Sequence, residues 1–74
     1  MDFVKVTDIF CKDGCVHIRP AHGTYEKIYR AAKGVYWDES TSTLFFKGKV
    51  LQEEAIKFIS EAMENEYYTI LVFD

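Results

Sequence analysis

Long apolar runs are absent from this 74-residue sequence, and proline occurs only once. A membrane-spanning helix requires roughly 20 apolar residues in succession, so none is expected. The first residues, Met1 to Val6, also lack the basic start, apolar stretch and small-residue cleavage site of a secretory signal. Nothing in this segment marks the chain for export, and the cytoplasm is the expected location.

Apolar side chains are plentiful otherwise. Hydrophobic residues make up 49% of the chain, charged residues 28% and aromatic residues 16%. This composition excludes intrinsic disorder, and the length allows one domain, residues 1–74. A core in so short a chain contributes only about 3–5 kcal/mol, so dense packing or a partner subunit is expected to add to its stability.

The charge is unevenly distributed. The net charge is -3, which repels phosphate backbones and anionic lipid surfaces. The acidic residues are concentrated in the second half of the chain, from residue 38 onward. We therefore expect neither a nucleic-acid partner nor a membrane.

A β-hairpin is predicted from Phe3 to Arg19. Gly14 suits the left-handed position that closes a three-residue loop with a bulge, here Lys12-Asp13-Gly14. Such a loop puts Cys11 opposite Cys15. Alternation then gives one core face with side chains from both strands: Val4, Val6, Phe10, Val16 and Ile18. Asp8 interrupts this face and must be paired, hydrogen-bonded or at the sheet margin.

Two helices and three further strands follow. Thr24 is a candidate N-cap for a helix that ends at Gly34, with apolar side chains at i, i+3, i+4 and i+7: Tyr25, Ile28, Tyr29 and Ala32. A second hairpin joins residues 35–37 to 43–46. A longer helix runs from Leu51 to Glu64 with one apolar stripe, and Tyr67 to Phe73 forms a last strand with two apolar faces.

The predicted fold class is α+β. Its order is β-β-α-β-β-α-β, which gives a five-stranded, mainly antiparallel sheet with two helices on one face. The order from the second strand onward also matches a ferredoxin-like arrangement with an extra N-terminal strand, which is the alternative.

A metal or thiol site is the sharpest chemical hypothesis. Its candidate ligands are Cys11, Cys15, His17 and His22. Zinc knuckles usually have two residues between the cysteines, and here there are three, so no metal and no cofactor is predicted. A catalytic pair of Cys15 and His17 lacks a third, orienting group and a pocket.

Other chemistries are also disfavoured. Acid-base catalysis needs paired carboxylates in a cleft, whereas the carboxylates of the long helix lie on its outer face: Glu53, Glu54, Glu61 and Glu64. Exposed aromatic residues on a sheet can stack on bases, but Leu44-Phe45-Phe46-Lys47-Gly48 does not have the residue order of an RNA-recognition strand. No enzyme activity is predicted.

The expected function is protein binding. A sheet with helices on one face leaves apolar side chains on the other, and self-association would bury them. The candidate contact residues are Trp37, Phe45 and Tyr68. The first alternative is an inhibitor or immunity-type protein whose acidic helix, through Glu53, Glu54, Glu61 and Glu64, binds a basic partner. The second alternative is a Cys/His metal-binding or nucleic-acid-binding module.

Overall fold

The computed structural model describes residues 1–74 and contains five strands and one α-helix. The strands are β1 (Asp2–Lys12), β2 (Cys15–Pro20), β3 (Val35–Asp38), β4 (Thr43–Phe46) and β5 (Thr69–Val72), and helix α1 spans Gln52–Tyr67. A single turn of 3-10 helix covers Ile28–Arg30. Neither helical segment has the length and apolar character needed to cross a membrane.

The five strands form one mixed sheet in the order β3-β4-β2-β1-β5. β5 runs parallel to β1, and the other neighbouring pairs are antiparallel. The parallel pair arises because α1 crosses over one face of the sheet and returns the chain to the beginning of β1, where β5 pairs with Asp2–Lys5. The sheet is mixed, and the chain has one α-helix. The predicted arrangement, a mainly antiparallel sheet with two helices on one face, is therefore wrong.

The predicted first helix, between Thr24 and Gly34, does not form. Hydrogen bonds of the 3-10 type replace it, from Arg30 N to Lys27 O at 3.1 Å and from Ala31 N to Ile28 O at 3.0 Å. So short a segment is marginal as an α-helix. Its apolar spacing contributes only Tyr25 and Ile28 to the core, while Tyr29 is 53% exposed. The ferredoxin-like alternative also needs this helix and is wrong for the same reason.

The turn between β1 and β2 is shorter than predicted. Asp13 and Gly14 both have positive φ angles, 53° and 78°, as in the two-residue type I′ turn that suits an Asp-Gly pair. Cys11 consequently lies opposite Val16, and Phe10 lies opposite His17. A one-residue change of register reverses the faces, so the predicted place of Phe10 in the core is wrong.

Helix α1 packs its apolar stripe on one face of the sheet. Leu51 is the N-cap residue and is 70% exposed, and its backbone N–H donates to Glu54 Oε1 at 3.1 Å. Tyr68 ends the helix in the left-handed conformation, with a φ of 51°. The buried core contains the following side chains from α1, the sheet, the 3-10 segment and the connector before it: Val4, Ile18, Tyr25, Ile28, Val35, Leu44, Ile59, Ala62, Met63 and Leu71.

Candidate functional site

The face of the sheet opposite α1, which we call the uncovered face, carries a row of rings across four strands. Tyr36, Phe45, His17 and Phe10 are successive cross-strand neighbours. The His17 ring is stacked between Phe10, at 5.3 Å, and Phe45, at 4.8 Å, and Tyr36 lies 5.8 Å from Phe45. Cross-strand aromatic pairs stabilise a sheet. The row therefore adds a small apolar layer on the face opposite the core.

His17 is held in this layer by both stacking and a hydrogen bond. Its side chain is only 4% exposed, and its Nδ1 forms a 2.8 Å hydrogen bond with Thr43 Oγ1. Burial lowers the pKa of His17, although the carboxylate of Asp38, 3.9 Å from Nδ1, acts in the opposite direction. A neutral imidazole fits this environment because desolvation penalises the charged form.

An ion pair joins the tip of the first hairpin to β3. Lys12 Nζ lies 2.8 Å from Asp38 Oδ2, and Asp38 Oδ1 accepts hydrogen bonds from Ser40 N and Oγ. The Lys12 hydrogen bond lowers the pKa of Asp38 well below its usual range, and the same bond raises the pKa of Lys12. The pair fixes the hairpin tip against the neighbouring strands.

A second ion pair explains Asp8. The register places Asp8 on the uncovered face, not among the core residues, because a β-bulge shifts the register between Val6 and Asp8. Arg19 Nη1 donates to Asp8 Oδ2 at 2.7 Å, and the guanidinium lies 5.3 Å from the centre of the Phe10 ring. The carboxylate is paired, but its side chain is 48% exposed, so burial does not impose the pairing.

Of the four candidate metal ligands, only Cys15 and His17 line a common groove. The two-residue turn directs Cys11 to the α1 side and Cys15 to the uncovered face, and both are free thiols. The ring of His17 is buried between phenylalanines, and His22 is exposed in the connector after β2. No three His, Cys, Asp or Glu side chains in the chain are arranged to hold a metal ion.

Two of the three predicted partner-binding aromatic residues, Trp37 and Phe45, line one groove, and Tyr68 lies away from it. Trp37 packs against the core on the α1 side, with its ring edge to face with Tyr25 at 5.5 Å. Phe45 belongs to the row on the uncovered face. Tyr68 is 69% exposed at the end of α1. The structure does not bring these three side chains into one patch.

The four carboxylates of α1 that were predicted to bind a partner are exposed: Glu53, Glu54, Glu61 and Glu64. None of them forms an ion pair within 4.0 Å. Glu54 has a local role, since it accepts the hydrogen bond from the backbone of the N-cap residue Leu51.

The edge of β1 is a feature that the sequence analysis missed. β1 extends over 11 residues, but β5 pairs only with Asp2–Lys5. From Val6 to Lys12 no strand lies on the β5 side. Ile9, on this edge, is 39% exposed and lines a groove with Phe73 at the point where β5 ends. No local pattern in the sequence indicated this edge, because the last strand was predicted from Tyr67 to Phe73 and its partner strand was not predicted.

The alternation of hydrogen bonds identifies the free groups on this edge. Residues that flank a two-residue turn, here Lys12 and Cys15, exchange hydrogen bonds across the hairpin, and every second pair does the same. Phe10 and its partner His17 are therefore also hydrogen-bonded. The N–H and C=O groups of Ile9 and Cys11 then point away from β2, toward solvent.

No protein-family model, curated protein or solved structure matches this chain. Function is therefore inferred from its residues and their geometry alone.

Proposed function

We propose that this chain is a non-enzymatic protein-binding module that self-associates through its sheet, at the unpaired edge of β1. The observation that carries the proposal is the outer half of this strand, Val6 to Lys12, which has a partner strand on one side only. Unpaired backbone groups in a strand are a template for pairing with another chain.

The apolar side chains beside the edge support the same proposal. Ile9 and Phe73 are each 39% exposed, and they line one groove. A strand added here would cover part of this surface. A chain of 74 residues also gains from such burial, because its own core contributes little stability.

The environment of His17 supports a function without enzyme activity. The imidazole of His17 is stacked between two rings and hydrogen-bonded to Thr43. It is therefore poorly placed to take a proton from Cys15 or from a substrate, since a general base must reach the reacting group.

We further propose a cytoplasmic location. Cys11 and Cys15 are free thiols on opposite faces of the hairpin, which suits a reducing compartment.

Sedimentation equilibrium over a range of protein concentrations tests self-association. The edge variant is Ile9→Lys, which adds a charge where a second strand would pair. The control is Tyr29→Lys, which changes another exposed apolar residue, 53% exposed on the 3-10 segment. We expect the wild type and the control to rise from 8.6 kDa toward twice that mass, and the edge variant to remain monomeric.

Two results would contradict the proposal. A wild type that stays at 8.6 kDa at every concentration would exclude self-association. If Ile9→Lys remains a dimer and Tyr36→Lys is a monomer, the dimer contact lies on the uncovered face and not at the edge of β1. Tyr36 is 40% exposed at the end of the ring row and serves this purpose.

A second candidate function is binding of a basic protein through α1. Four exposed carboxylates without ion partners favour it: Glu53, Glu54, Glu61 and Glu64. Such a surface would accelerate association with a positively charged target. The combined charge reversal of Glu53, Glu61 and Glu64 to Lys would abolish this binding while leaving self-association at β1 unchanged.

A further inference from the structure

The free edge of β1 has a defined limit at each end. At one end Thr7 is the extra residue of the bulge, and its hydroxyl donates to Arg19 O at 3.2 Å. At the other end the chain turns at Asp13 and Gly14. The regular alternation between these limits leaves two residues, Ile9 and Cys11, whose backbone groups point outward. A partner strand must hydrogen-bond to these two.

We propose that the partner is a second copy of this chain and that the two β1 strands pair antiparallel about a two-fold axis at Phe10. This inference rests on the proposed self-association and adds its geometry. In this register Ile9 of each copy lies opposite Cys11 of the other. Each such pair exchanges two hydrogen bonds, so all outward N–H and C=O groups of both residues in both copies are satisfied.

The charges beside the axis are complementary in the same register. Asp8 and Lys12 lie two residues on either side of Phe10 and share its face of the sheet. The two-fold axis therefore puts Asp8 of each copy opposite Lys12 of the other, and opposite charges directly across a sheet attract. Within its own chain Asp8 is paired with Arg19 and Lys12 with Asp38. On each side of the axis, four charges of alternating sign would therefore follow one another: Arg19 and Asp8 of one copy, then Lys12 and Asp38 of the other.

Other antiparallel registers satisfy fewer groups. A shift that puts Ile9 opposite Ile9 leaves Cys11 against the bulge of the second copy. A shift that puts Cys11 opposite Cys11 leaves Ile9 against the turn. A further shift in either direction puts Asp8 opposite Asp8 or Lys12 opposite Lys12, and like charges directly opposite destabilise a sheet.

The side chains near the axis suit the pairing. Phe10 lies opposite Phe10 at a position without hydrogen bonds, where cross-strand side chains come closest. The two ring rows of the uncovered faces would meet there and form one row across both sheets. On the α1 side, Ile9 meets the Cys11 thiol, which behaves as a small apolar group. Charged residues on an edge often prevent association, but here their opposite signs and their spacing favour it.

Disulfide trapping tests the register. The test variant is Ile9→Cys with Cys15→Ser, which keeps the native Cys11, and the oxidant is diamide. The Cα atoms of a hydrogen-bonded antiparallel pair lie about 5.5 Å apart, within the range of a disulfide. We expect this variant to give a covalent dimer on a non-reducing gel.

Two control variants report on the neighbouring registers. Cys15→Ser alone retains Cys11 and crosslinks only where Cys11 faces Cys11. The triple variant Ile9→Cys, Cys11→Ser and Cys15→Ser crosslinks only where residue 9 faces residue 9. We expect neither control to form a covalent dimer. A control that crosslinks as readily as the test variant would overturn the register.

Charge reversal gives a test without cysteine chemistry. In homodimers Asp8→Lys puts two lysines opposite each other, and Lys12→Glu puts two carboxylates opposite each other. In the mixed pair of Asp8→Lys with Lys12→Glu, every opposed pair attracts. We expect each variant alone to be monomeric and an equimolar mixture to sediment as a heterodimer.

The two proposals fail separately in these experiments. A wild-type monomer at all concentrations overturns both. A wild-type dimer that ignores the charge reversals and the Ile9→Cys trap overturns this register only, and self-association through the sheet stands.

Discussion

The imidazole of His17 and the hydroxyl of Thr43 form a 2.8 Å hydrogen bond beneath the uncovered face of the sheet. Both side chains are buried, and Thr43 Oγ1 lies 2.7 Å from Thr41 Oγ1 as well. The rings of Phe10 and Phe45 cover the two faces of the imidazole. Burial between these rings would remove water from the charged imidazolium, so protonation of His17 destabilises the folded state.

Stability should therefore fall as the solution is acidified past the ordinary pKa of histidine, 6.5. Burial lowers the pKa of His17 in the folded state, so between the two pKa values the unfolded chain binds more protons. Above 6.5 both states are neutral at this site and the effect disappears. Urea unfolding at pH 7.5 and 5.5 measures the difference in the free energy of unfolding.

Two variants isolate His17 as the source. His17→Phe retains the stacked ring and removes the titrating group, so the loss of stability between these pH values should become smaller. His22 is exposed, and His22→Gln should leave the loss as it is in the wild type. Equal pH dependence in His17→Phe and the wild type would contradict the role of His17.

Asp38 should stabilise the fold over a different pH range. The Lys12 hydrogen bond lowers the folded-state pKa of Asp38, so its stabilisation is present above the ordinary aspartate value of 3.8 and is lost as the pH falls through the lowered one. Asp38→Asn removes the ion pair. The variant should melt below the wild type at pH 7, and the gap should narrow in strong acid. A constant gap at all pH values would mean that the charge of Asp38 has no effect.

Gly14 should be needed for its backbone conformation alone. Its φ is 78°, and no atom lies within 4 Å of the place a Cβ would occupy. Gly14→Ala should therefore cost about 1 kcal/mol from left-handed strain, without a steric clash. Gly14→Asn should cost less, since Asn tolerates this conformation. Chemical denaturation of both variants measures the order, and an alanine variant as stable as the wild type would argue against the two-residue turn.

Neighbouring residues of the 3-10 segment should respond very differently to truncation. Ile28 is fully buried, so Ile28→Ala should cost about 2–5 kcal/mol. Tyr29 is 53% exposed, and Tyr29→Ala should change stability by no more than about 0.5 kcal/mol. A large loss in both variants would instead favour the continuous helix predicted from the sequence, whose stripe includes both residues.

Helix α1 could be predicted from the sequence because its apolar stripe is long and regular. Ala55, Ile59, Ala62 and Met63 repeat with the helical period over more than two turns and are all buried. The segment that contains Ile28 has a similar period over a shorter length, and periodicity alone does not distinguish a short α-helix from a 3-10 turn. In the structure, Tyr25 packs against Trp37 and Tyr67 just before the 3-10 segment, a long-range contact that local periodicity does not contain.

The register of the first hairpin depended on one residue of loop length. Lys12-Asp13-Gly14 is compatible with a three-residue loop, and Asp13-Gly14 with a two-residue turn. The choice determines whether Phe10 faces the core or stacks on His17. The ring row and the placement of Cys11 and Cys15 on opposite faces both follow from the two-residue turn. Because a three-residue loop was predicted, the two cysteines were wrongly placed on one face.

The free edge of β1 could not be derived from local patterns. Its existence depends on where β5 pairs, and the parallel pairing with Asp2–Lys5 is a contact between the two ends of the chain. Local alternation in the last strand gave two apolar faces but no partner and no direction.

Amide hydrogen exchange at Ile9 and Cys11 tests the central claim, pairing of two β1 edges, most directly. Their N–H groups point away from β2, so in a monomer they exchange with solvent without the protection of the ladder, whereas the amide of Phe10 is protected. Exchange followed by NMR at low and high protein concentration should show Ile9 and Cys11 becoming protected as concentration rises, while Phe10 is protected throughout. Rapid exchange of both amides at every concentration would contradict the claim.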